Sequence, residues 1–167
     1  MPALHAEPLP AAALEWVTAL TATALPEAQP YPQLFDGLGG MLDALGAAPA
    51  ARGWAAALVR YELGVLAELG FGLDLTQCVA SGAADDLAFV SPRSGGAVSR
   101  SAAVGYEERL LPLPPFLRDG GGADWSDILA GLAITGRFLE RDLLNDRRAE
   151  PLAARTRLIA RLNRAVA

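Results

Sequence analysis

The chain has 167 residues, of which 52% are hydrophobic and 20% are charged, so it suits one folded domain rather than a disordered polypeptide. It has no run of 18 apolar residues and no basic or apolar signal segment at its start, which argues against a membrane span and against secretion. Its single cysteine cannot form an internal disulfide, which fits a reducing cytoplasm.

The net charge of -5 is unevenly distributed. Residues 1–92 carry ten acidic residues and two arginines, whereas residues 93–167 carry nine acidic residues and twelve arginines. This basic second half indicates an anionic partner, and ordinary solvated surface charge is the alternative.

Two helices are predicted in the N-terminal third. The first runs from Ala11 to about Leu25 and ends at Pro26, because proline lacks the amide that continues a helix. The second begins near Pro32 and has a helically spaced apolar face. That face consists of Leu34, Leu38, Met41, Leu42 and Leu45.

The strongest helical pattern covers residues 54–75. Its apolar face consists of Leu58, Val59, Leu63, Leu66 and Leu69. Glu62 falls in the middle of this face, where a lone carboxylate is costly, so we expect a buried or half-buried Glu62 held by an arginine or a helix N-terminus. Gly70 and Gly72 predict the end of the helix through backbone angles that other residues avoid.

A small β insert is predicted next, at about residues 74–102. The segments LAFV and AVS form two strands around the turn SPRSGG, and a helix resumes near Ser101 and runs toward Arg109. The chain is therefore predicted to be all-α, a helical bundle with a hairpin insert, forming one unit over residues 1–167 with helical parts at about 11–73 and 103–167.

Two further helices are predicted near the C-terminus. Asp124 and Asp127 predict the start of the first, and Arg137 and Arg141 lie opposite its apolar face. That face consists of Trp125, Ile128, Leu129, Leu132, Leu139 and Leu143. The second begins at Pro151, buries Leu152, Ile159, Leu162 and Val166, and presents Arg157, Arg161 and Arg164 on its outer side.

Residues that could support catalysis are few. The only histidine, His5, lies near the N-terminus, where nothing fixes it beside a nucleophile, and the pairs Asp85–Asp86 and Glu107–Glu108 are typical of solvated loops. We expect a protein that is not an enzyme and that binds no cofactor.

Three segments carry a family resemblance: RYELGVLAELGFGLDLTQCVASGA, DDLAFVSPRSGGAVSR and LLPLPPFL. They resemble the C-terminal region of the RecO family of bacterial DNA repair proteins. The resemblance also implies an N-terminal OB-fold domain in the family, to which no segment of this chain corresponds, so we expect this chain to lack it.

The resemblance makes the insert similar to a zinc ribbon. Some members of the family hold zinc through four cysteines, whose positions correspond here to Cys78, Ser81, Ser99 and Ala102. Because three of the four ligands are missing, we expect no metal, and expect packing of Leu87, Phe89 and Val98 to hold the hairpin instead.

The resemblance implies a recombination mediator that binds single- and double-stranded DNA, anneals strands, and acts with RecR and with single-stranded DNA-binding protein (SSB). It also implies a pocket for the acidic SSB tail, which ends in an aromatic residue. Such a pocket needs an apolar hollow and arginines at its rim. We expect Arg60 at the rim, then Arg137 and Arg141, with Leu63 and Leu66 near the hollow.

A different reading treats the protein as an autonomous nucleic-acid-binding helical protein. In that case Arg157, Arg161 and Arg164 would contact phosphates and make DNA affinity strongly dependent on salt.

Overall fold

The computed structural model describes residues 8–24, 32–47, 51–144 and 150–166. The α-helices in these ranges are α1 (Pro8–Ala24), α2 (Pro32–Ala47), α3 (Ala51–Glu68), α4 (Pro115–Asp119), α5 (Trp125–Phe138) and α6 (Glu150–Val166). A 3-10 turn spans Glu107–Arg109, and a π-helical turn spans Leu139–Leu143. The first helix begins before the predicted Ala11, whereas Leu25, Pro26 and His5 lie outside the described residues.

Helix α3 occupies the centre of the helical part. It packs against α2 on one side and against α5 on another, while α1 packs along α6. The largest fully buried side chains come from all of these helices, including Trp16, Met41, Trp54, Ile128 and Leu158. The core is therefore shared by elements from both ends of the chain.

The predicted backbone role of glycine at the end of helix α3 is found at Gly70 and not at Gly72. Gly70 has a φ of +85°, and the amides of Phe71 and Gly70 donate to the carbonyls of Leu66 and Ala67, which caps the last turn. Gly72 is not among the residues with positive φ, so its predicted backbone role is wrong. A Cβ at Gly72 would lie 3.3 Å from the Ala67 Cα, a tight contact that glycine avoids.

Residues 74–112 contain four strands, so the sheet extends past the predicted insert and the all-α prediction is wrong to that extent: the described part of the chain is mostly helical with a small sheet. The strands are β1 (Asp74–Cys78), β2 (Leu87–Val90), β3 (Gly96–Ser99) and β4 (Leu111–Pro112), in the spatial order β1-β3-β2-β4. The predicted β2–β3 hairpin is confirmed, with Phe89 opposite Val98, while β1 runs parallel to β3 and β4 antiparallel to β2. These two outer strands were not predicted, because neither has an alternating pattern of apolar and polar residues.

Other boundaries and helix faces also differ from the predictions. Residues 101–106 form turns that lead into the 3-10 turn, so the helix predicted from Ser101 is wrong. Helix α6 buries Leu158 together with Leu162, whereas the other three predicted core residues, Leu152, Ile159 and Val166, are only half-buried. The Asp124 start of α5 is confirmed, because Asp124 and Asp127 each accept from the other's backbone amide.

Candidate docking grooves

A groove of about 480 Å³ lies between α2 and α3. Its lining is mainly small and apolar, with one cation and one anion at its edges. The lining residues are Gln33, Gly37, Gly40, Met41, Ala57, Arg60, Tyr61, Gly64, Ala67 and Glu68. We call it the α2–α3 groove.

Glycines keep the α2–α3 groove open. A Cβ at Gly40 or at Gly64 would meet nothing within 4 Å, and one at Gly37 would lie 3.6 Å from the Tyr61 ring. The Tyr61 ring is buried and its hydroxyl shares a hydrogen bond with Thr21. Burial raises the pKa of Tyr61, against the opposing effect of the Thr21 hydrogen bond. Tyr61 therefore forms a buried, hydrogen-bonded wall of the groove, while Gly40 and Gly64 leave open space beside it.

Arg60 is exposed at the mouth of this groove. Its Nη2 donates to the Gly121 carbonyl at 3.0 Å, and its guanidinium lies over the Phe116 ring, 5.3 Å from the centroid. These two contacts orient the side chain without burying it. Arg60 is therefore an exposed cation among the residues that line the groove, and its guanidinium is held by Gly121 and Phe116, which do not line it.

The other predicted rim arginines lie elsewhere. Arg137 is exposed and lines a second groove, between α5 and α6. The Nη1 of Arg141 donates to the carbonyls of Pro92 and Arg93, which ties the π-helical turn after α5 to the β2–β3 turn. Its ion pair with Asp142 raises the pKa of Arg141. Neither arginine lines the α2–α3 groove with Arg60.

The two predicted apolar contacts do not line the α2–α3 groove either. Leu66 is fully buried in the core, as its helical phase indicates, so it cannot contact a partner. Leu63 is half-buried and is not among the lining residues. Met41, Ala57 and Ala67 supply the apolar lining instead.

The predicted burial of Glu62 and its arginine partner are confirmed. Arg155 on α6 donates through Nε to Glu62 Oε2 at 2.8 Å and through Nη2 to Oε1 at 3.1 Å. Trp16 Nε1 donates to Oε2 at 2.9 Å, and Thr135 Oγ1 donates to Oε1 at 2.6 Å. The carboxylate therefore links α1, α5 and α6 to α3. Arg155 was not predicted as the partner, although its helical phase places it on the predicted apolar face of α6, three residues after Leu152 and four before Ile159.

The three outer arginines of α6 differ in their surroundings. Arg157 pairs with Glu15 on α1 at 2.8 Å, with both side chains exposed by more than half. Arg161 is half-buried, and Arg164 is exposed.

Comparison with known proteins decides the family. The family model described as "Recombination protein O C terminal" matches residues 7–151. The chain belongs to this family, and the resemblance drawn from the sequence is confirmed.

Relatives named DNA repair protein RecO match nearly all of the chain. The protein from Rhodospirillum centenum is 49% identical over 163 residues, which cover 95% of this chain and 63% of the relative. That from Jannaschia sp. is 50% identical over 156 residues, covering 93% and 62%, and that from Caulobacter sp. is 45% identical over 163 residues, covering 97% and 66%. The chain thus spans less than two thirds of the length of these relatives.

Cys78, Ser81, Ser99 and Ala102 offer one thiol, two hydroxyls and one methyl group. This set does not fit zinc, which binds thiolates and imidazoles. The buried Cys78 Sγ accepts instead from the Ser99 amide at 3.3 Å, and Ser99 Oγ accepts from the Ala102 amide at 3.2 Å. Burial raises the pKa of Cys78, but hydrogen bonds from Ser81 and Ser99 outweigh it and lower the pKa to about 6.

Proposed function

We propose that this chain is the partner-docking part of a DNA repair and recombination mediator, and that its α2–α3 groove binds the acidic C-terminal tail of SSB. The observation that carries the proposal is the exposed Arg60 at the mouth of an apolar groove. Membership of the family supports the wider role, since the relatives bear the name DNA repair protein.

The charges at the groove's edges favour one orientation of the tail. Arg60 and Glu68 are eight residues apart on α3, which separates them by about 12 Å along the helix axis. The tail carboxylates then lie beside Arg60, which can donate to them through the guanidinium N–H groups not used by Gly121. The terminal aromatic ring lies in the groove against Ala57 and Ala67, and Glu68 repels an acidic chain from the far end.

Peptide binding by fluorescence anisotropy tests this proposal. A labelled acidic peptide ending in phenylalanine should bind wild type, and Arg60→Ala should weaken it roughly tenfold or more, the value of a charge-assisted hydrogen bond. Arg52→Ala is the matched control, since Arg52 is exposed on the same helix and does not line the groove.

A second pair of variants tests the hollow rather than the charge. Gly64→Leu should abolish binding by filling the groove, whereas Gly39→Leu, at an exposed position outside the groove on α2, should not. Equal peptide affinity for wild type, Arg60→Ala and Gly64→Leu would refute this site.

RecR docking and DNA binding and annealing complete the proposed role. Arg157, Arg161 and Arg164 are the C-terminal candidates for phosphate contact, and Arg157 must first leave its pair with Glu15. Autonomous nucleic-acid binding is therefore the less supported function. The test for this function is the loss of DNA affinity when salt is added, which should be smaller in an Arg164→Gln variant than in wild type.

The proposed role involves no covalent chemistry. It further includes an insert that binds no metal, and action in the cytoplasm. The poor match of Cys78, Ser81, Ser99 and Ala102 to zinc supports the metal-free insert. A stoichiometric zinc in the purified protein would contradict that part of the proposal. Among the described residues, none of the helices is both long enough and apolar enough to cross a bilayer.

A further inference from the structure

The guanidinium of Arg60 lies over an aromatic ring from a distant part of the chain. It is 5.3 Å from the centroid of the Phe116 ring, which belongs to α4 and is only 2% exposed. A Cβ at Gly131 on α5 would lie 3.3 Å from this ring, so the ring packs closely against α5. Phe116 is therefore a fixed platform beneath a cation that is itself exposed.

A glycine turn holds the same guanidinium by a hydrogen bond. Arg60 Nη2 donates to the Gly121 carbonyl at 3.0 Å. Gly120 and Gly121 have φ values of +76° and +86°, which residues with a side chain rarely adopt, although a Cβ at either position would meet nothing within 4 Å. These glycines are therefore needed for the backbone path that places the carbonyl beside Arg60, and not for space.

The ring and the turn are anchored without Arg60. We call residues 115–123, which comprise α4 and the glycine turn, the α4 strap. Arg118 Nη1 donates to the Leu87 carbonyl of β2 at 2.6 Å, which connects the strap to the sheet. Directly after the strap, Asp124 begins α5 with a capping box. The strap thus has its own connections on both sides, so it can hold Arg60 in place.

An arginine held in this way loses less freedom when it binds an anion. Arginine has a long side chain with high rotamer entropy, and restricting such a side chain on binding opposes association. Among the described residues, only Gly121 accepts a hydrogen bond from the Arg60 guanidinium, which leaves other N–H groups for a carboxylate. Loss of the ring should therefore lower anion affinity by about threefold to tenfold without removing any contact to the anion.

We infer that Phe116 is a positioning residue for the acidic peptide, and that it acts through Arg60 rather than by contacting the peptide. This rests on the proposed function, because the acidic peptide is the anion that Arg60 binds. Phe116 is buried and does not line the α2–α3 groove, so it offers no surface to a partner.

A double-variant cycle on peptide affinity separates positioning from packing. Phe116→Leu should weaken binding of a labelled acidic peptide ending in phenylalanine by about threefold to tenfold when Arg60 is present. In the Arg60→Ala background the same change should have no further effect, since the guanidinium that the ring holds is gone. A ring that mattered only for core packing would weaken binding equally in both backgrounds.

The chain offers a matched control at Phe138. This residue on α5 is 1% exposed, and the guanidinium of Arg141 lies 4.8 Å from its ring centroid. Phe138 does not line the α2–α3 groove. Phe138→Leu therefore makes the same change in the core beneath a different arginine, and it should leave peptide affinity at the wild-type value. Thermal unfolding identifies a temperature at which every variant is folded.

The position of Arg60 can also be measured without the peptide. In the 15N-labelled protein, the Nε–Hε resonance of Arg60 is assigned by its absence in Arg60→Ala. The ring current of Phe116 should displace this resonance from that of Arg52, which is exposed on the same helix. In Phe116→Leu the Arg60 resonance should move toward that of Arg52.

Three results would overturn the inference. They are wild-type affinity in Phe116→Leu, an equal loss of affinity in the two backgrounds, and an Arg60 resonance that Phe116→Leu leaves unchanged. A wild-type protein that does not bind the peptide would instead refute the proposed function, and the resonance alone would then decide whether Phe116 positions Arg60.

Discussion

The buried ion pair between Arg155 and Glu62 should contribute far more to stability than the exposed pair between Arg157 and Glu15. Both pairs have an N–O distance of 2.8 Å, but side-chain exposures are 7% and 0% in the first pair and 56% and 59% in the second. We expect Arg155→Met to lower the free energy of unfolding by about 3–5 kcal/mol, because it leaves the Glu62 carboxylate buried with only two donors. Arg157→Met should cost at most about 1 kcal/mol.

The double variant separates pairing from packing. Glu62→Gln should also cost about 3–5 kcal/mol, because it leaves a buried guanidinium without its carboxylate. In Glu62→Gln/Arg155→Met neither charge remains, so its cost should fall short of the sum of the single costs by at least about 2 kcal/mol.

Urea unfolding followed by circular dichroism measures the free energy of unfolding of wild type and of the four variants. Since a domain of this kind is stable by about 5–15 kcal/mol, the single core variants should have midpoints well below that of wild type. Equal costs for Arg155→Met and Arg157→Met, or additive costs in the double variant, would refute the view that the core depends on this pair.

Three other predictions concern the insert, a helix end and DNA. Because the pKa of Cys78 is lowered in the fold, its thiolate stabilises the folded state at higher pH. The free energy of unfolding of wild type relative to Cys78→Ala, measured by urea unfolding, should therefore rise between about pH 6 and pH 9. A difference that does not change with pH would contradict this prediction. Gly70→Ala should cost about 1 kcal/mol because of its φ of +85°, whereas Gly39→Ala, inside α2 with open space around its Cβ, should stabilise by up to about 1 kcal/mol in thermal melts. If Arg164 contacts phosphate, Arg164→Gln should lower the slope of log affinity against log salt by about one, and an unchanged slope would exclude that contact.

The helical part could be predicted because its helices have strong periodicity and clear ends. The Asp124 start and the Gly70 stop depend on local backbone chemistry, which the sequence states directly. The burial of Glu62 followed from its place on an apolar face. Its partner did not, because Arg155 is 93 residues away and only the packing of α6 brings it near.

The sheet and the grooves were harder to predict. Strand β4 has two residues and β1 has only one buried residue, Cys78, so neither shows an alternating pattern. In a sequence, the glycines of α2 and α3 indicate low helix propensity. In the fold, Gly40 and Gly64 leave room for a groove between the two helices. Arg60 could be proposed as a rim residue from the sequence, but so could Arg137. Helical phase does not show which neighbouring helix each arginine faces, so the sequence could not place the two in different grooves.

Nuclear Overhauser effects between a bound acidic tail peptide and the protein test the central claim most directly. The terminal phenylalanine ring should contact the methyl groups of Ala57 and Ala67, and these contacts should be lost in Arg60→Ala. Contacts instead to Ala133, which lines the second groove between α5 and α6, or contacts that persist unchanged in Arg60→Ala, would contradict this proposal.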